Sequence, residues 1–215
     1  YAGSLPQNVL SEWKKVEGRF ETVQYVDDSK EVLKLIAEVT EARRTLNPPA
    51  RTTIGVQAKQ AQKLGLFQNW ALAELESLLS SAYPIEPAAL YLLPRLASRV
   101  AQNERTLFGF LYASPMRELI TVADVYDYFA AAMQADIGPG GTFKQWLETQ
   151  SAIGRVGELP FGPEVLKTTA LLGLGASGER ARASSELVRF ACLGYRRRDT
   201  EETDLALRTL GDRKL

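Results

Sequence analysis

Histidine is missing from all 215 residues. Its absence removes the commonest general base and the commonest zinc ligand. Ser–His and Cys–His catalytic systems are excluded with it, as is any His-containing metal motif. A single cysteine, Cys192, excludes an intramolecular disulfide framework and fits a reducing cytoplasm, the expected location. Net charge is also missing: 26 Lys and Arg balance 26 Asp and Glu, so bulk electrostatics point to neither nucleic acid nor membrane. No apolar run approaches the roughly 20 residues of a membrane span. Residues 1–10 lack the basic start and apolar centre of a signal peptide. The phosphate-cradling pattern G-x-x-x-x-G-K-[ST] is absent, and so is an apolar run ending in paired acids that would hold magnesium. Repeats and low-complexity segments are absent too. The paired acids Asp27-Asp28 and Glu201-Glu202 lie at expected helix starts, where capping and the helix dipole account for them.

What is present reads as helix. Hydrophobic content of 45% and charged content of 24% describe an ordinary globular chain. Residues 83–112, YPIEPAALYLLPRLASRVAQNERTLFGFLY, organise the rest. Pro84 and Pro87 suit a helix start, where a missing N–H costs little. Leu90, Leu93, Leu96 and Val100 follow at helical spacing. The polar island Gln102-Asn103-Glu104-Arg105-Thr106 then interrupts, before Leu107, Phe108, Phe110 and Leu111. Polar side chains so close to a core need partners or a ligand. Either the island is a hydrogen-bonded knot joining two helices, or Arg105 and its neighbours face a site on another domain.

In chain order, residues 1–17 give a short helix with Val9, Leu10, Trp13 and Val16 on one face, ended by Gly18. Residues 19–26 alternate weakly, as a short strand or an extended connector. A helix capped by residues 27–29 turns Val32, Leu33, Leu35, Ile36 and Val39 inward and stops before Asn47-Pro48-Pro49. Residues 50–57 are expected to be a linker. One long helix is expected over 59–81, with Gly65 marking a kink or a close approach at a cost of about 1 kcal/mol. Ser114-Pro115 ends the organising segment. Thr121 caps a helix with Val122, Val125, Tyr126, Phe129 and Met133 inward. Tyr126, Tyr128 and Phe129 read as core packing, because no basic residues interleave them. Residues 137–141 form a turn, and a helix follows over 142–153. Residues 157–163 are the expected domain boundary. Three short helices follow, at 163–174, 184–193 and 200–213, with Ser184 and Thr200 as caps. They form the skeleton of a helix-turn-helix or winged-helix unit without its wing. The last residues, 211–215, carry no stop signal, and both ends read as cut from a longer chain.

Two motifs need weighing. Residues 173–178 match G-x-G-x-x-G by letter, but the dinucleotide fingerprint needs a preceding strand and a parallel sheet. A helix end with a glycine-rich loop suits these residues better. Arg196-Arg197-Arg198 could grip phosphates ahead of the last helix. Arg208, Arg213 and Lys214 would extend that grip along the helix itself. Asp199, Glu201, Glu202 and Asp204 offset this field, however, which favours a solvated or protein-facing surface.

Three segments in order resemble large bacterial P-loop ATPases of the AAA+/STAND type, some of them linked to phage defence. Residues 12–21, EWKKVEGRFE, are similar to an E-W-x-K-[VI]-Q-G-R-F-E segment that follows the Walker B and sensor region. Residues 83–108 are similar to Y-P-x-H-P … L-P-x-L … A-Q-N-E-R-[ST]-L-F, with Glu86 standing where the family often has His. Residues 165–172 are similar to an L-K-T-I-x-L-L helix that opens a winged-helix-like module. Within that group, the segments also resemble BREX-type defence ATPases. The resemblance implies an all-α, mainly helical chain in three parts. Residues 1–27 would connect to an ATPase core, 28–157 would form a helical lid bundle, and 158–215 a winged-helix-like unit without its wing. It also implies a fragment with no catalytic, cofactor or metal site of its own. ATP and magnesium would belong to the parent protein. The parent's ATPase core would be the partner, and a ring-forming homo-oligomer is expected of such relatives. Arg105 would sense the nucleotide phosphates, with Arg19 second and with Asn103 and Glu104 orienting Arg105. The alternatives are a DNA-binding helix-turn-helix module and a free-standing helical enzyme using a lysine or a carboxylate.

Overall fold

The computed structural model of the protein describes residues 30–100, 104–138, 140–175, 183–196 and 200–213, without the side chains of Glu104 and Arg105. The first described helix, α1 (Lys30–Arg43), buries Leu33, Ile36, Ala37 and Thr40, which lie three and four residues apart on one face. Leu35, expected to point inward, is exposed. It stands about 200° around the helix from Leu33.

Residues 50–57 are not a linker. The second helix, α2 (Arg51–Lys63), starts there and buries Ile54, Ala58 and Ala61. Two of those three positions are alanines, so the apolar stripe is faint in the sequence. The single helix expected over 59–81 is two, because α3 (Leu72–Ala82) is separate. Between them Gly65 and Phe67 both take positive φ, at 90° and 51°. Gly65 follows Leu64, the C-cap of α2, in the position where a left-handed glycine ends a helix without strain. A side chain there would meet nothing within 4 Å, so the glycine serves the turn and not a close approach. Phe67 has no such freedom. Burial holds it, with its ring edge-on to Tyr91 at 5.2 Å between centroids.

Next comes α4 (Pro87–Val100), with Pro87 as its first residue and Leu90, Leu92, Leu93 and Leu96 buried. This helix touches α1, α2, α5 (Glu104–Ala113), α6 (Val122–Ala135), α8 (Gly162–Gly175) and α9 (Ser185–Leu193). It is the hub of the described structure. Just before it, Glu86 N–H donates to Ile120 O and Ile120 N–H donates to Pro84 O, each at 3.0 Å. This isolated parallel bridge between Ile85 and Ile120 fixes the entry to α4 beside the entry to α6.

The start of α6 is a capping box. Asp124 N–H donates to the Thr121 hydroxyl, and Thr121 N–H donates back to the Asp124 carboxylate. Its inward residues are those expected: Val122, Val125, Tyr126, Phe129 and Met133 are all buried. Tyr128 is more exposed but packs edge-on against Phe110 and Phe129. The turn after α6 leads into α7 (Phe143–Val156), and α8 follows. Gly173 and Gly175 lie in the last turn of α8, and no strand precedes them. The G-x-G-x-x-G match therefore lacks the first element that a dinucleotide site needs. Ser184 caps α9 by accepting from Leu187 N–H, and α10 (Thr200–Asp212) follows.

The described residues are all-α, with no strand beyond the isolated bridge. One connected cluster of buried residues runs from Leu33 to Leu210. Across residues 157–163, α8 packs against α6 and α7 on one side and against α9 and α10 on the other. No described helix is long and apolar enough to cross a membrane. The expected helix at 1–17 and the strand or connector at 19–26 lie outside the described residues.

Candidate functional site

The one buried carboxylate among the described residues marks the site. Glu86 is wholly buried at the start of α4, in the position that precedes Pro87. A carboxylate out of water needs a counter-charge and hydrogen bonds to remain ionised. The counter-charge is Arg196, whose Nε lies 3.6 Å from Glu86 Oε1. Arg196 follows the turn that ends α9, so the pair joins two distant parts of the chain. The same guanidinium donates to Cys192 O at 2.8 Å and lies 5.9 Å from the centre of the Phe161 ring.

The turn itself is seated by its backbone. Gly194 has φ 46°, a conformation that side chains disfavour, and its Cα faces the Glu86 carboxylate with no room for a Cβ. Gln57 on α2 donates to Gly194 O at 2.6 Å. Tyr195 packs edge-on against Tyr83, with ring centroids 5.4 Å apart. The 194–196 turn is thus gripped by α2, by the 83–86 entry segment and by α4. These contacts bring the end of α9 against the first half of the chain.

Burial and the Glu86 charge set the acid–base behaviour here. Desolvation, reinforced by Glu86, holds the Tyr195 phenol well above its ordinary pKa. The Tyr83 phenol is raised for the same two reasons. Burial pushes the Cys192 thiol up to about 11, against a hydrogen bond with Thr168 that lowers it. These groups stay protonated near neutral pH, so the thiol is a poor nucleophile. Two buried polar atoms, Gln57 Oε1 and Tyr195 Oη, have no hydrogen-bond partner among the described residues. The arrangement is a polar junction with incomplete pairing. It is built to hold a turn, and it presents no nucleophile–base pair.

A second feature lies beyond the junction. A cleft of about 300 Å³ opens between α7, α8, α9 and α10. Val165, Leu166, Val188, Leu207 and Leu210 line it, with Thr149 and Glu148 at its edge.

The residues singled out in the sequence fall unevenly. Glu104 and Arg105 begin α5, where only their backbone is described. Arg19, Asn103, Arg197, Arg198 and Lys214 lie outside the described residues. Arg196 does not face solvent as a phosphate contact would, because it turns inward to Glu86. Arg208 is exposed on α10. Arg213 donates to Val156 O at 3.2 Å and ties the end of α10 to the end of α7. Among the described residues no group of three or more Cys, Asp and Glu could hold a metal ion.

Sequence reasoning named Glu86 only as a departure from the family pattern, and it missed Gln57, Gly194 and Tyr195. A signal existed for Glu86, the only charge between Tyr83 and Leu93 in an otherwise apolar run. No comparable signal marks Gln57, which is one of several glutamines on a polar-looking helix. No protein-family model, curated protein or solved structure matches the chain.

Proposed function

We propose that the chain is a non-catalytic helical relay module of a nucleotide-driven bacterial ATPase. In this reading the helices before residue 158 act as a lid bundle, and α8, α9 and α10 act as the winged-helix-like unit that receives its movement. Nucleotide bound on the parent's core shifts the lid, and α4 passes the shift on. The observation that carries the reading is the seating of the 194–196 turn on Glu86 and Gln57. It adds a few polar contacts to the apolar packing that α8 and α9 make on the hub helix. Such contacts have discrete made and broken states, which a relay requires. The three segments similar to AAA+/STAND ATPases supply the nucleotide in this proposal.

DNA binding through α10 is the weaker reading. Arg196 is engaged by Glu86, and the first turn of α10 carries Glu201 and Glu202. A recognition helix that begins acidic repels the phosphate backbone it must approach.

Two measurements test the relay. Calorimetric titration of the chain with Mg-ATP is expected to give no heat of binding, and the chain alone no hydrolysis. Tight binding or turnover by the chain alone would overturn the proposal. In the parent protein, Arg105→Ala is expected to abolish hydrolysis while circular dichroism and nucleotide affinity stay unchanged. Unchanged hydrolysis would remove the lid assignment.

A further inference from the structure

We infer that the cleft between α7, α8, α9 and α10 is a binding site for a small apolar amine, with the ammonium group at Glu148 and the apolar body against α8, α9 and α10. Such a site goes beyond the relay reading and does not rest on it.

Size and shape limit the occupant first. The cleft holds about 300 Å³, the lower end of the range for small-molecule sites. A cavity of about 150 Å³ takes a benzene ring, so this one has room for a ring with a short tail. Its walls come from short segments of four helices, not from two helices lying side by side. That shape suits a small molecule better than a partner helix, which needs a groove for anchors spread over two turns or more. Val165, Leu166, Val188 and Leu210 form the apolar wall, each between 2% and 8% exposed. A ring laid against them leaves water and covers apolar surface on both partners.

The polar edge sets the charge. Thr149 is 5% exposed and donates its one hydroxyl proton to Gln145 O at 2.7 Å. Thr169 likewise donates to Val165 O at 2.7 Å. A threonine hydroxyl has one proton and two lone pairs, so both oxygens are left to accept. Glu148 is the one charged residue among the described residues that line the cleft, and a carboxylate only accepts. Two committed hydroxyls and a negative charge along α7 and α8 call for a positively charged donor. An ammonium group supplies both the charge and three N–H donors. Lys144 lies 3.8 Å from Glu148, but both side chains are more than half exposed, and a pair of that kind is weak and readily displaced.

The opposite edge is the start of α9, at Ala183 and Ser185. A helix start by itself favours an anion. Here that preference is already answered, because Ser184 accepts from Leu187 N–H and Glu186 occupies the first turn. The balance of charge at the cleft therefore stays negative.

The test is a titration of the full chain, followed by the methyl NMR signals of Val165, Leu166, Val188, Leu207 and Leu210. Three probes share one ring and differ in the tail: 2-phenylethylamine, 2-phenylethanol and phenylacetate. The amine is expected to give saturable shifts at these methyls with a Kd of about 1 mM. The alcohol should bind about three- to tenfold more weakly, and phenylacetate more weakly still. No saturable shift with the amine up to roughly 10 mM would overturn the inference. So would phenylacetate binding as tightly as the amine.

Two variants locate the two halves of the site. Glu148→Gln changes an exposed side chain and should lower the affinity for the amine to that for the alcohol, leaving the alcohol unchanged. An undiminished preference for the amine in this variant would refute the role of the carboxylate. Ala152→Leu projects a larger side chain into the cleft and should abolish binding of all three probes. Binding that persists in this variant, with circular dichroism unchanged, would place the probes elsewhere and refute the site. None of these outcomes bears on the Mg-ATP or Arg105 tests of the relay, so the two ideas fail separately.

Discussion

Replacing Gly194 with alanine tests the junction directly. Two costs add. A side chain at φ 46° stores about 1–3 kcal/mol of backbone strain. The new Cβ would also occupy the space of the Glu86 carboxylate, which must then move away from Arg196. Breaking a buried pair by removing one partner costs about 3–5 kcal/mol. The lower end applies here, since Arg196 keeps its bond to Cys192 O and partial access to water. Together these give a loss of about 4–6 kcal/mol, a large part of the roughly 5–15 kcal/mol stability of an average domain. With a urea slope of about 3 kcal/mol/M, the unfolding midpoint falls by about 1.3–2 M. The assay is equilibrium urea unfolding followed by circular dichroism and tryptophan fluorescence. Gly173→Ala is the internal control. That glycine lies in α8 with open space around its Cα, so alanine there should raise stability by about 0.5–1 kcal/mol. A Gly194→Ala midpoint within about 0.3 M of wild type would refute the reasoning, because neither the strain nor the displacement of Glu86 would then be real.

Other parts of the fold give further expectations. Phe129→Ala removes a fully buried ring from the centre of α6 and should cost about 3–5 kcal/mol in the same urea assay. Thr121→Ala opens the capping box and should cost about 1 kcal/mol, and Thr121→Ser should restore most of it. The Arg189 guanidinium holds the Asp204 carboxyl below its ordinary pKa, chiefly through their hydrogen bond. Its stabilising contribution is therefore full above the ordinary carboxylate range and is lost as pH falls through the lowered native pKa. The pair is about one-third exposed, so Arg189→Gln should cost no more than about 1 kcal/mol at pH 7. In that variant, the fall of the urea midpoint on acidification should lose this component.

Much of the fold was legible because local chemistry and burial agreed. At α6, Thr121 and Asp124 carry a helix start in their spacing, and five apolar residues repeat at helical steps behind it. Ser184 signals α9 in the same way. The helix running from Pro87 was recognisable as the organising element because its leucines return every three or four residues. The reading failed where local signals were weak or were overruled. The start of α2 has alanines where larger side chains would have shown a stripe. The break between α2 and α3 depends on Phe67 at positive φ, which no local preference of phenylalanine suggests and which burial against Tyr91 enforces. Arg196 read as a surface cation because its sequence neighbours are charged, whereas its counter-charge comes from a remote segment.

By itself the sequence determined an all-helical chain without histidine chemistry, several of its caps, and the centrality of the stretch 83–112. These properties depend on residue types and on spacings of a few positions, which the chain carries in one dimension. Only the tertiary structure decided that Glu86 is wholly buried, that Gly194 must lack a side chain, and that Gln57, Tyr195 and Arg196 converge on one turn. Each of these is a contact between segments far apart in the chain. Its free energy comes from desolvation and close packing, which exist only once α2, α4 and α9 have come together.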